Sequence, residues 1–218
     1  MIDWSAIDTV LLDMDGTLLD LHFDNHFWMT HLPERYAEHH GLDPEHATRQ
    51  LHQRFEREQH TLQWYCTDYW SSELAVDIPA LKQEVAHLIA ERPLARHLLE
   101  ELGKAGRQRI LITNAHRDSL NIKLKITGID RLLDHVISSH DYGAPKEDQA
   151  FWHALQQAVP FNPARTLFID DSEAVLRAGK AYGIAHLLCI RQPDSQNQAR
   201  DNLQFSAIDH FDDILPLT

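Results

Sequence analysis

Asp13 and Asp15 stand one residue apart in Asp13-Met14-Asp15-Gly16-Thr17, directly after the apolar run Val10-Leu11-Leu12. Two carboxylates this close repel one another when both are ionised away from water. A strand end that carries them needs a cation, a shared proton or open solvent. Gly16 lets the chain turn sharply, and Thr17 adds a hydroxyl. Other polar groups follow apolar runs in the same way. Thr113-Asn114 follows Ile110-Leu111-Ile112, and Asp170-Asp171-Ser172 follows Leu167-Phe168-Ile169. Lys146 sits in the loop Gly143-Ala144-Pro145-Lys146-Glu147-Asp148. Taken singly, Thr-Asn is ordinarily a turn or a cap, a loop lysine a solvated charge, and paired aspartates a helix N-cap. Taken together they offer four carboxylates, an ammonium, a hydroxyl and an amide. Phosphoryl transfer needs groups of these kinds: an in-line nucleophile, charge neutralisation around phosphorus and a proton for the leaving oxygen.

These groups converge only if the elements that carry them share one rim. Short apolar runs without polar alternation predict strands covered on both faces, over 9–12, 109–113, 135–139, 165–169 and 185–190. Helices are predicted between them, over 93–104, 119–127, 147–159 and 173–182. Gly128 and Gly183 sit where glycine stops a helix, and Pro160 ends the third. Strands alternating with helices predict an α/β fold, a doubly wound, Rossmann-like parallel sheet. Ligands of such sheets bind beyond the carboxyl ends of the strands, where all of the polar residues named above fall.

The stretch 20–91 differs. It has few β-branched residues and is rich in Glu, Gln, Arg, His, Leu and aromatics. Breaks are expected at Pro33, at Gly41-Leu42-Asp43-Pro44 and at Ile78-Pro79, with Asp43 as an N-cap and Pro44 in a first helical turn. About four helices are expected there, inserted after the first strand. The expected division is a core of 1–19 plus 92–218 and an inserted α-helical cap domain of 20–91.

The formal net charge is −13, from 33 acidic and 20 basic residues. Such a surface does not suit a nucleic-acid polymer. No apolar run approaches the roughly 20 residues of a membrane span, and Met1-Ile2-Asp3-Trp4 does not open a signal peptide. Cys66 and Cys189 are far apart and read as reduced thiols. A cytoplasmic protein without a membrane partner is expected. Of the 16 histidines, His22 and His26 are four apart and His39 and His40 adjacent, with no His-Glu-x-x-His motif; they read as solvated or packing groups, with a substrate contact or an adventitious metal as the alternative.

The four polar motifs, in this order, resemble those of the haloacid dehalogenase superfamily of phosphatases. One departure is visible: Pro145 precedes the lysine, and Glu147 follows it. The resemblance implies that Asp13 attacks phosphorus and that Asp15 is the acid/base. It implies that Thr113, Asn114 and Lys146 hold the phosphate, with Lys146 also serving catalysis. It further implies Mg²⁺ held by Asp13, Asp15 (through its main-chain carbonyl), Asp171 and Asp170, with Asp171 favoured as the direct ligand of the last two. Asp15 argues against a dehalogenase, which has no alkoxide to protonate.

Phe23-Asp24-Asn25-His26-Phe27-Trp28 and 61–70, around Trp64-Tyr65-Cys66 and Tyr69-Trp70, are similar to the lid of bacterial nucleotidases of that superfamily. That similarity implies a small-molecule substrate, a purine 5′-monophosphate such as GMP or IMP. A sugar-phosphate phosphatase or phosphomutase is the alternative among enzymes, and a non-catalytic binding protein the alternative outside them. The lid aromatics read either as bundle packing or as faces that stack on a base.

Overall fold

The computed structural model describes residues 2–59 and 61–217. Met1 and Thr218, at the outer ends of the expected core, and His60, inside 20–91, lie outside the described residues. In chain order the strands are β1 (Thr9–Leu12), β2 (Gln108–Thr113), β3 (His135–Ser138), β4 (Thr166–Asp170), β5 (His186–Ile190) and β6 (Ala207–Ile208). The helices are α1 (His22–His26), α2 (Leu32–His40), α3 (Pro44–Glu58), α4 (Thr67–Leu74), α5 (Ile78–Glu84), α6 (Ala95–Lys104), α7 (Arg117–Thr127), α8 (Gln149–Ala158) and α9 (Glu173–Tyr182).

All six strands are parallel, in the order β3-β2-β1-β4-β5-β6. The strand order reverses between β1 and β4, the position at which a doubly wound sheet opens a crevice. Alternation along the strands sends their side chains to two cores. Val10, Leu12, Leu111, Leu167 and Ile169 pack on one face with α6 and α7. Leu11, Ile110, Ile112 and Phe168 pack on the other with α8 and α9. β1 and β4 are buried throughout, so the site they carry rests on the buried centre of the sheet.

The expected doubly wound sheet is present. Strand ends differ from expectation by a residue or so, as the ladder rather than hydropathy fixes where pairing stops. β6 was not expected. It has two residues, one of them exposed, and carries no apolar run to announce it.

Helices α1 to α5 lie between β1 and α6. Asp43 caps α3 by accepting the His46 N–H at 3.1 Å, with Pro44 in the first turn. Pro33 does not break the chain as expected. A π turn, Phe27–His31, joins α1 to α2, and the Leu32 N–H reaches back five residues to the Phe27 carbonyl. The wider turn accommodates a proline that a regular α-helix interior excludes. Phe23, Phe27, Leu51, Phe55, Trp70 and Leu74 form one buried cluster with the sheet face of β1. The two chain crossings run side by side: Leu19 bridges both Asp15 and Glu91, and the Arg92 N–H donates to the Leu18 carbonyl at 2.9 Å.

Trp152 of α8 is fully buried, 5.2 Å from the Phe168 ring, and donates its indole N–H to the Lys146 carbonyl at 2.8 Å. It therefore packs the core and fixes the Lys146 loop. Trp152→Ala is expected to cost about 3–5 kcal/mol, read as a lowered urea midpoint with unchanged slope.

Candidate active site

The β1–β4 register sets the site. Leu12 pairs with Ile169, and the Asp13 N–H donates to the Ile169 carbonyl at 3.0 Å. The next residue of each strand is an aspartate, so Asp13 and Asp170 emerge side by side. Both are buried. Lys146 enters from the loop before α8, also buried, and its Nζ donates to Asp13 Oδ1 at 2.5 Å, to Asp170 Oδ2 at 2.8 Å and to the Ile112 carbonyl at 3.3 Å. Burial works against the ammonium, but the two carboxylates outweigh it and hold the Lys146 pKa above its ordinary value.

One oxygen from each of Asp13, Asp170 and Asp171 lies within 4.8 Å of the others. Asp170 is spoken for by Lys146 and by the Ser172 N–H at 2.7 Å. The Asp171 carboxylate receives no hydrogen bond from the described residues. Burial pushes its carboxyl well above the ordinary range, and Asp170 and Asp13 push it further. Asp13 Oδ2 is buried and has no hydrogen-bond partner among the described residues. Gly16 makes this packing possible. Its φ is +83°, and a Cβ there would stand 2.9 Å from Asp171 Cγ.

Asp15 stands apart from this cluster. Its Oδ1 accepts from Lys123 Nζ of α7 at 2.6 Å. Lys123 also donates to Asp24 Oδ2 at 2.6 Å, and Lys82 of α5 donates to Asp24 Oδ1 at 2.9 Å. Carboxylates and ammoniums thus alternate from the Asp15 turn into the helices. Burial would raise the Asp24 carboxyl, but Lys123 and Lys82 overcome it and bring it down to about 2. For Asp15, burial wins over Lys123, and the carboxyl is pushed up to about 6.

Thr113 ends β2, Asn114 follows it, and both are buried. Thr113 Oγ1 accepts the Ala115 N–H at 3.0 Å. Asn114 Oδ1 accepts the Lys146 N–H at 2.9 Å, and its Nδ2 donates to Glu147 Oε2 at 2.9 Å. Asn114 therefore clamps the Lys146 loop. Tyr65, from the turn before α4, donates to the other Glu147 oxygen at 3.1 Å. Burial raises the Tyr65 phenol, and Glu147 raises it further.

A cavity of about 280 Å³ opens over these groups. Its floor is Asp13, Asp15, Thr113, Asn114, Lys146, Asp170 and Asp171; its opposite wall is Trp28, Phe55, Trp64, Tyr65 and Trp70. Phe55 meets Trp28, Trp64 and Trp70 edge to face, with centroids 5.7, 5.9 and 5.0 Å away. The aromatics are thus bundle packing and cavity wall at once.

A sequence model of the haloacid dehalogenase-like hydrolases matches residues 7–183. The chain belongs to this family. Among curated relatives of this hydrolase is the GMP/IMP nucleotidase YrfG of Escherichia coli (strain K12), 44% identical over 215 residues, or 99% of this chain and 97% of the relative. Among solved structures, a HAD phosphatase from Thermococcus onnurineus superposes with a TM-score of 0.76 at 18% identity, covering 92% of this chain and 93% of that one. A putative beta-phosphoglucomutase from Thermotoga maritima gives 0.66 at 19% identity, covering 96% and 97%. At these identities the two structures speak for the fold alone.

Asp13, Asp15, Thr113, Asn114, Lys146, Asp170 and Asp171 all border this one cavity, as do Trp28, Trp64, Tyr65 and Trp70, whereas Phe23, Phe27 and Tyr69 are not among its lining residues. Reasoning from the sequence missed Lys123, Asp24, Lys82 and Glu147. A signal existed for Lys123: it lies three residues after Leu120 on the buried face of α7, whereas Ile126 is half exposed. A charge on the apolar stripe implies a buried partner. Lys82 repeats the pattern four residues after buried Ile78.

Asp171 carries a folded-state pKa above its unfolded one, so its penalty is absent at low pH and grows as pH rises above about 4. Asp171→Asn is expected to stabilise the metal-free protein at pH 7. The gain should vanish toward pH 4, as followed by urea denaturation at both pH values.

Proposed function

We propose that this hydrolase is a Mg²⁺-dependent phosphomonoesterase that hydrolyses purine 5′-monophosphates, GMP and IMP, through an aspartyl-phosphate on Asp13. The observation that carries the phosphatase reading is the state of Asp13: one oxygen is fixed by Lys146, and the other is buried and unpartnered at the cavity floor. The purine reading is supported by the aromatic wall facing that floor, which suits a flat base, and by the nucleotidase relative.

The all-oxygen donor set of Asp13, Asp170 and Asp171, with an orphaned buried oxygen among them, fits Mg²⁺. These three, together with the Asp15 main-chain carbonyl, would hold the ion, which would supply charge neutralisation for the phosphoryl oxygens. With Asp170 already engaged by Lys146 and Ser172, Asp171 is the freer ligand.

In this reading an Asp13 oxygen forms a bond to phosphorus as the bond to the ester oxygen breaks. Asp15, its carboxyl near 6, gives its proton to the departing 5′-oxygen and then takes one from the water that attacks the phospho-aspartate. Inorganic phosphate leaves, and Asp13 is restored. Lys146 offsets charge beside the nucleophile throughout. Thr113 and Asn114 border the phosphate. Residues 20–91 act as a cap on a core of 1–19 plus 92–218, with the Tyr65–Glu147 contact as one clasp, and exclude water from the first step.

Phosphate release from a panel of nucleotides and sugar phosphates with Mg²⁺ tests the assignment. GMP and IMP should lead AMP, CMP and sugar phosphates, and a chelator should stop turnover until Mg²⁺ is returned. Equal rates across the panel would remove the purine assignment. Asp13→Asn should lose several orders of magnitude in kcat. Asp15→Asn should lose about 10²- to 10⁴-fold. With 4-nitrophenyl phosphate, whose leaving group needs no acid, Asp15→Asn should give a burst of one nitrophenolate per chain, because only the second half-reaction then stalls.

A further inference from the structure

A second cluster, outside the carboxylate site, has a different donor chemistry. Cys66 Sγ and one ring nitrogen each of His116 and His140 lie within 4.8 Å of one another. The three come from separate parts of the fold. Cys66 is the N-cap of α4, His116 the N-cap of α7, and His140 lies in the turn after β3. The two imidazoles meet edge to face with centroids 4.9 Å apart.

The surroundings prepare these side chains as ligands. His140 Nε2 is buried and has no hydrogen-bond partner among the described residues, a cost that calls for a reason. His116 Nδ1 lies 2.6 Å from the Thr67 hydroxyl, which itself donates to Asp118 at 3.2 Å. With the Thr67 proton on Asp118, Nδ1 donates to Thr67 and Nε2 keeps the lone pair that a metal requires. A second partner that fixes the tautomer in this way is the usual companion of a metal-bound histidine. Asp68 Oδ2 stands 3.7 Å from His116 Nε2.

One thiol and two imidazoles suit Zn²⁺ and not Mg²⁺. We infer that Cys66, His116 and His140 form a Zn²⁺ site, with Asp68 or water in the fourth position, that clips the helices after β1 to the rim of the sheet. Cys66 supplies the helical side of the clip. His116 and His140 supply the sheet side, and His116 follows Asn114 of the cavity floor by two residues. The site is separate from the Asp13–Asp170–Asp171 cluster and differs from it in containing sulfur.

That sulfur makes the test specific. The full-length protein is titrated with Co²⁺ alone, in the presence of saturating Mg²⁺. A thiolate-to-cobalt charge-transfer band with tetrahedral d–d intensity is expected, because an all-oxygen site gives neither. Zn²⁺ should displace the Co²⁺ at one equivalent per chain. Cys66→Ser should abolish the band, and Cys66→Ser and His140→Gln should each weaken Zn²⁺ binding, measured against a competing chelator, by at least about a hundredfold, since loss of an outer partner alone costs about ten- to a hundredfold. Asp171→Asn should leave the band in place. Cobalt bound without a thiolate band, or equal Zn²⁺ affinity in the wild type and Cys66→Ser, overturns the site.

Discussion

One ammonium holds the carboxylate rim of this molecule together. Lys146 lies between Asp13 and Asp170, at 2.5 and 2.8 Å, at the place where the strand order of the sheet reverses. Without it, two buried carboxylates on adjacent strands would face each other uncompensated, and removing one partner of such a pair typically costs about 3–5 kcal/mol. The arrangements around Lys146 serve to keep it there. Asn114 binds its backbone N–H, Trp152 its carbonyl, and Ile112 its third ammonium proton. The loop is thereby locked from β2 on one side and from α8 on the other. A lysine so tied is a fixed charge, the form in which electrostatic stabilisation is most effective because nothing must reorganise during reaction.

A second lysine repeats the device with a different outcome. Lys123 also serves two carboxylates, Asp15 and Asp24, but these belong to different parts of the chain. One sits in the turn after β1 and the other on α1. Lys82 then adds a second cation to Asp24, and Phe23, Phe27 and Trp28 surround its ammonium at 4.7–5.4 Å. Asp24, facing two ammoniums, is firmly ionised, whereas Asp15, facing one, has its carboxyl near 6. Burial raises both carboxyls; at Asp24 two ammoniums overcome it, whereas at Asp15 the single ammonium is opposed by the Asp24 and Asp13 carboxylates as well.

Much of this was legible in the residues themselves. The apolar runs that end in polar pairs gave the central strands to within a residue, and their parallel order put Asp13, Thr113, Lys146 and Asp170 on one rim. What stayed hidden depended on contacts between distant segments. The apolar stripes of their helices mark Lys123 and Lys82 as buried, but not that Asp24 is the carboxylate they share. Glu147 looks like a neighbour of the motif lysine until Asn114 and Tyr65 close on it. The histidines read as solvated or packing groups, because His116 and His140 are 24 residues apart and meet Cys66 only after folding. Pro33 was misjudged for a local reason: a π turn absorbs the defect that a regular helix could not.

The paired crossings near Leu19 and Glu91 carry one more implication. Entry to and exit from the helical stretch lie side by side, joined by a bridge at Leu19 and by the Arg92 contact to Leu18. A segment whose two ends abut occupies the position of a plug-in module, since its length and shape can change without altering the distance its host must span. The sheet and its carboxylates are thus insulated from changes of length or shape in the helical stretch for as long as the two crossings stay joined.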